Sequence, residues 1–106
     1  MAQLTQDTLQ DGRDDYGYTP ERANFGLNYL TAEWSDLPNF QNEWDQWNIQ
    51  ERYIFYLEWS IRESWSQNLS KWHKAGLLSP EQCERYAELQ RLIEQNTPIL
   101  EQLFAA

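Results

Sequence analysis

Residues 49–74 contain neither proline nor glycine. As a helix, this stretch would be about 39 Å long at a rise of 1.5 Å per residue. If each successive residue is rotated by about 100° around the helix axis, most large aliphatic and tryptophan side chains of this stretch fall within one arc of roughly 120°. They are Ile54, Leu57, Ile61, Trp65, Leu69 and Trp72. The pattern predicts one long helix whose apolar arc faces the core of the protein.

A second group of large side chains lies outside that arc. Arg52, Phe55 and Trp59 recur at positions i, i+3 and i+7 of the same helix. A helix that is apolar nearly all round is either the central helix of a bundle or a helix that meets a partner. Since Trp, Tyr and Arg are enriched among interface hot spots, these three residues are the predicted protein-binding patch. The alternative is that another segment of the same chain, such as residues 40–47, covers them.

Helix-start signals divide the rest of the chain. Thr19 precedes Pro20 and Ser79 precedes Pro80, so that each proline follows a residue whose hydroxyl can cap free backbone amides. Asn48 begins the motif Asn-Ile-Gln-Glu, which has the form of a capping box. These signals predict helices that begin near residues 19–20, 48 and 80.

The remaining boundaries are marked by proline and glycine. A short helix is expected to begin between Asp36 and Phe40, and a last one at Pro98. Gly76 is expected to end the long helix in the left-handed conformation. Residues 25–30 alternate apolar and polar side chains as well as fitting a helix, so a short strand is the alternative there.

Together these elements predict an all-α protein. It is a small bundle of four or five helices with one long central helix, about residues 49–74. The expected core contains Leu27, Leu30, Trp34, Trp44, Ile54, Leu57, Ile61, Trp65, Leu69, Trp72, Leu77, Tyr86, Leu89 and Ile93. Residues 19–106 form the single helical domain. Residues 1–18 are read as a flexible acidic arm, since their aspartates repel one another and few apolar side chains could anchor them.

The formal net charge of −9 narrows the choice of partners. An acidic protein repels phosphate backbones and anionic lipid surfaces, which argues against nucleic-acid and membrane binding. Another protein is the expected partner, either a basic one or a second copy in a homodimer. No apolar run approaches the roughly 20 residues that span a bilayer, and no signal peptide is recognised at the N-terminus. The expected location is cytoplasmic.

Catalytic and metal-binding chemistry finds little support in the sequence. His73 and Cys83 are the single histidine and the single cysteine. They cannot supply the four Cys or His ligands typical of a structural zinc site, and one thiol cannot form an internal disulfide. His73 lies between two lysines, where positive charge complements a helix C-terminus, and Cys83 is read as a small buried residue. We therefore predict no catalytic residue, no metal and no cofactor.

The expected function is a non-enzymatic interaction or regulatory module of the cytoplasm. Small size, acidity and abundant aromatic residues favour it, since aromatic side chains make up 15% of the chain. Two versions are an acidic inhibitor or immunity-type protein that binds a basic protein, and an assembly factor of a larger complex. The alternative from another class is a small-molecule or pigment carrier with a tryptophan-lined pocket.

Overall fold

The computed structural model describes residues 17–105, and no strand occurs among them. The helices are α1 (Pro20–Ser35), α2 (Leu37–Glu43), α3 (Ile49–Lys74) and α4 (Pro80–Ala105), with a 3₁₀ turn at Trp44–Gln46 between α2 and α3. The predicted all-α class is confirmed, with three long helices and the short α2. Residues 25–30 are helical, so the alternative of a strand there is wrong.

Local capping determines where the long helices begin. The Thr19 hydroxyl accepts a hydrogen bond from the Arg22 amide at 3.0 Å. Asn48 and Glu51 form both bonds of the capping box, at 2.8 and 2.9 Å. Ser79 and Gln82 form the same reciprocal pair, at 3.1 and 3.0 Å. Each of these three starts therefore has a physical basis in a side chain that satisfies otherwise free backbone amides.

Helix α3 ends as expected, whereas the helix break expected at Pro98 does not occur. Gly76 has a φ of 75°, which is the left-handed conformation that glycine adopts without penalty. Helix α4 continues through Pro98 to Ala105. Proline inside a helix costs about 3 kcal/mol, and burial of apolar side chains in the following turns offsets this cost. Leu103 is 4% exposed, and Ile99 and Leu100 pack partly buried against the core.

The core lies where α1 packs against α3 and α4, and α2 closes one end of it against α4. The shortest dimension of the molecule is 19 Å, about the thickness of two helices. The buried apolar residues are Ala23, Leu27, Leu30, Trp34, Leu37, Trp44, Phe55, Trp59, Leu69, Trp72, Leu78, Leu89 and Leu103. Helix α1 packs against both α3 and α4, whereas α3 and α4 contact each other little, so α3 is not the central helix that was expected.

The predicted inner face of α3 is wrong for its first half. Ile54, Leu57 and Ile61 were expected in the core, but they are 48%, 49% and 53% exposed. The buried positions include Phe55, Arg62 and Leu69 instead, which recur every seven residues. A repeat of seven keeps one seam of a slightly supercoiled helix facing its neighbours.

The aromatic rings of neighbouring elements explain this choice of face. Phe40 and Trp44 contact the Phe55 ring with centroids 5.4 Å apart, and Trp34 meets Trp59 at 5.2 Å. Large rings bury more apolar surface than aliphatic side chains do, so the ring-bearing side of α3 turns inward.

The expected flexible arm is only partly within the described structure. Residues 1–16 lie outside it. Tyr18 was assigned to the arm, but it is half-buried. Its ring meets Trp72 edge-on at 5.6 Å, and its hydroxyl donates to Gln82 Oε1 at 3.3 Å. The folded part therefore includes Tyr18. Within residues 17–105, no helix is long and apolar enough to cross a bilayer.

Candidate protein-binding surface

The patch expected from the sequence lies largely inside the molecule. Phe55 is 4% exposed and Trp59 is 3% exposed. Arg52 is half-buried, and its Nε and Nη2 atoms donate to the Trp44 carbonyl at 3.1 and 2.6 Å. Residues 40–47 cover Phe55, which is the arrangement named as the alternative. These three residues therefore do not form an exposed patch on this chain.

A buried ion pair completes the inner side of α3. Arg62 is 8% exposed, and its Nε atom donates to Glu33 Oε1 at 2.8 Å, with Nη2 bonded to the same oxygen. The guanidinium also lies over the Trp59 ring, 5.0 Å from its centroid. Sequence reasoning missed this pair. The spacing of seven from Phe55 to Arg62 and on to Leu69 is the signal that could have revealed it.

The outer side of α3 carries an exposed group of aliphatic side chains, which we call the aliphatic strip: Ile54, Leu57 and Ile61. About half of each side chain is exposed, and the spacing i, i+3, i+7 places all three on one side of the helix. Tyr53, 60% exposed, lies one turn before Leu57, and Ile49, 86% exposed, lies one turn before Tyr53. The sequence contained this strip, but it was read as core.

The aliphatic strip is uncharged and one of its margins is acidic. The other residues between positions 49 and 68 that share its side of the helix are uncharged as well. They are Gln50, Ser64, Trp65 and Asn68. Glu51 and Glu58 follow one margin, and both are exposed. The two arginines of this stretch are engaged within the chain, Arg52 with a carbonyl and Arg62 with Glu33.

A groove of about 360 Å³, which we call the aromatic groove, lies beside the strip. It is lined by Phe40, Trp47, Glu51, Ile54, Phe55, Glu58 and Arg62. The Phe40 and Trp47 rings are 5.8 Å apart and inclined at 59°. Elements α2, the following turn and α3 all contribute to it, so no single sequence segment predicts it.

Another concavity lies between α1 and α4, and charged side chains take part in its lining. Its volume is about 620 Å³, and its lining includes Arg85, Glu88 and Arg91. Arg85 is already hydrogen-bonded to Asn24 and Asn28 of α1. These bonds tie the two helices together, so we interpret the polar lining as part of the packing of α1 on α4.

The single histidine and the single cysteine have ordinary structural contacts. His73 stacks on Tyr86, with ring centroids 4.7 Å apart, near the end of α3. The Cys83 sulfur lies 3.7 Å from the Leu78 carbonyl. Within residues 17–105, no three metal-ligating side chains come together.

Comparisons with protein-family models, curated proteins and solved structures find no match for this chain. The aliphatic strip and the aromatic groove are adjacent and share Ile54, so a single partner could contact both.

Proposed function

We propose that this protein is a non-enzymatic protein-interaction module whose binding surface is the aliphatic strip of α3. The observation that carries the proposal is that Ile54, Leu57 and Ile61 are about half exposed on one uncharged side of a helix. Isolated exposed aliphatic residues are common on protein surfaces, but a contiguous group framed by polar residues is typical of interaction sites.

The spacing of the strip supports a helical partner. Side chains at i, i+3 and i+7 form a ridge that packs against the apolar side of a second helix. Covering them would stabilise the complex by about 25 cal/mol for each Å² of apolar surface removed from water. A regulatory subunit, an assembly factor and an acidic inhibitor of a basic protein all fall within this proposal.

Site-specific photocrosslinking in the native cell tests the proposal. A photoreactive phenylalanine analogue at Leu57 should crosslink to one discrete partner band. The same analogue at Glu94, an exposed position on α4, is the matched control and should not. Crosslinking at Glu94 with the same partner and yield would show that the strip is not the surface involved.

Substitutions in the strip provide the second arm of the test. Leu57→Ser combined with Ile61→Ser should abolish capture of that partner by a crosslinker placed at Ile54. Because these side chains are exposed, the circular dichroism and melting temperature should stay close to those of the parent. Retained capture with unchanged stability would overturn the proposal.

A further inference from the structure

We infer that the aromatic groove receives a lysine or arginine side chain from a helical partner whose apolar side covers the aliphatic strip. This inference rests on the proposed function and names the chemistry of the partner. It identifies a subsite formed by the rings of Phe40 and Trp47 and the carboxylates of Glu51 and Glu58.

The geometry places the two contact regions within one helix width. Ile54 belongs to the strip and also lines the groove. A partner helix lying on Ile54, Leu57 and Ile61 therefore has one margin beside the groove. From that margin, the long stem of a lysine or arginine can cross apolar surface while its charged end enters the groove.

The groove offers a cation two kinds of stabilisation. The faces of Phe and Trp rings attract cations, and carboxylates accept charge-assisted hydrogen bonds. Glu51 and Glu58 are seven residues apart, so they project from the same side of α3 two turns apart. One Glu51 oxygen accepts from the Asn48 amide at 2.9 Å, which orients the carboxylate and leaves its negative charge in place.

Arg62 also lines the groove, but it does not make it cationic. Its guanidinium is paired with Glu33, so the pair contributes no net charge. The unbalanced charges at the groove are those of Glu51 and Glu58. Glu58 makes no hydrogen bond or ion pair among the residues that the structure describes. An anionic ligand would face two carboxylates there.

A second copy of the chain fits this surface less well than a basic partner does. If two copies paired antiparallel through the strip, each margin would face the same margin of the other copy. If they paired parallel, each margin would face the opposite margin of the other copy. In the antiparallel pair, Glu51 and Glu58 would face the same carboxylates of the other copy. In the parallel pair they would face the margin of Tyr53 and Ser60, which carries no positive charge. Lys71 and Lys74 lie beyond the end of the strip.

Binding of synthetic helices to the whole chain tests the inference. The basic probe is an amphipathic peptide of about 20 residues with leucines at i, i+3 and i+7 flanked by lysines, a length at which a helix can form in solution. Two matched probes replace the lysines by glutamine or by glutamate. Titration calorimetry gives Kd, and the indole N–H resonance of Trp47, assigned with Trp47→Phe, reports on the groove.

The basic peptide should bind tightest, weaken as salt is raised, and shift the Trp47 resonance. Combining Glu51→Gln with Glu58→Gln should raise its Kd about tenfold, which corresponds to about 1.4 kcal/mol. Glutamine can still close the capping box, so α3 keeps its start. Glu94→Gln, which removes one carboxylate from α4, is the control and should leave Kd unchanged.

The possible failures are distinguishable. Equal binding of the lysine and glutamine peptides would overturn the cation subsite while leaving docking on the strip intact. Binding of the basic peptide that survives Leu57→Ser combined with Ile61→Ser would overturn the proposed function as well. A concentration-dependent dimer that Leu57→Ser dissociates would overturn the inference in favour of a second copy.

Discussion

Gly26 lies where α1 crosses α3, and its lack of a side chain leaves room for the Trp65 ring. A Cβ atom at this position would lie 2.9 Å from Trp65 Cε3. The ring has little freedom to retreat, since it also contacts Phe25 with centroids 5.2 Å apart. The glycine therefore serves close helix packing, even though glycine weakens an isolated helix.

We expect Gly26→Ala to destabilise the protein by about 1–2 kcal/mol, because overpacking outweighs the gain in helix propensity. Urea unfolding followed by circular dichroism measures the change. In a Trp65→Leu background the same substitution should be neutral or stabilising, since the clashing ring is gone. An equal cost in both backgrounds would show that Trp65 is not the cause.

The buried ion pair supplies a second prediction at this scale. Glu33→Ala leaves the Arg62 charge buried without its partner and should cost about 2–4 kcal/mol. Replacing both residues by leucine should recover much of that loss, because two apolar side chains need no compensation. A cost below about 0.5 kcal/mol for Glu33→Ala would show that the pair behaves like an exposed salt bridge.

At the scale of elements, the helix starts could be predicted because capping is local. Thr19, Asn48 and Ser79 each act on amides within three residues, so the sequence alone contains the cause. The course of α4 through Pro98 could not be predicted in this way. It depends on burial of Leu103 and its neighbours by other helices, which no local signal reports.

The inner face of α3 was missed for the same reason. A helical projection at 100° per residue shows only which apolar residues share a side of the helix, and in α3 two sides carry large apolar residues. What decides between them is the ring-rich segment of residues 40–47, which packs on Phe55. The aliphatic strip was therefore visible as a pattern, but its exposure could be assigned only once the neighbouring elements were placed.

Two alanine substitutions on α3 test the assignment of its faces. Trp59→Ala should cost about 3–5 kcal/mol, since a ring that is 3% exposed leaves a large cavity. Leu57→Ala, two residues away and about half exposed, should cost less than about 1 kcal/mol. Thermal unfolding of both variants gives the comparison, and similar losses would mean that α3 is rotated relative to the structure.

At the scale of the whole molecule, the small thickness of the bundle and the negative net charge of the chain bear on the exposed side of α3 and on the charge of its surroundings. The Cα atoms extend only 19 Å along the shortest axis, and one side of α3 stays uncovered. In a chain of net charge −9, Glu51 and Glu58 lie along one margin of that side. The aromatic groove forms only when α2, its following turn and α3 come together. Composition therefore led only to the expectation of an acidic interaction protein, whereas the groove could be described only from the assembled fold.

The N-terminal boundary of the folded part can be tested by shortening the chain. A chain beginning at Tyr16 should keep the parent melting temperature, because residues 1–15 contain four aspartates and few apolar side chains. In that shortened chain, Tyr18→Ala should cost about 2 kcal/mol, since it removes the edge-on contact with Trp72 and the hydrogen bond to Gln82. Tyr18→Phe keeps the ring and should cost about half as much, which separates the two contributions. If shortening the chain to Tyr16 alone lowers the melting temperature by several degrees, residues 1–15 contribute to the fold and the boundary lies before Tyr16.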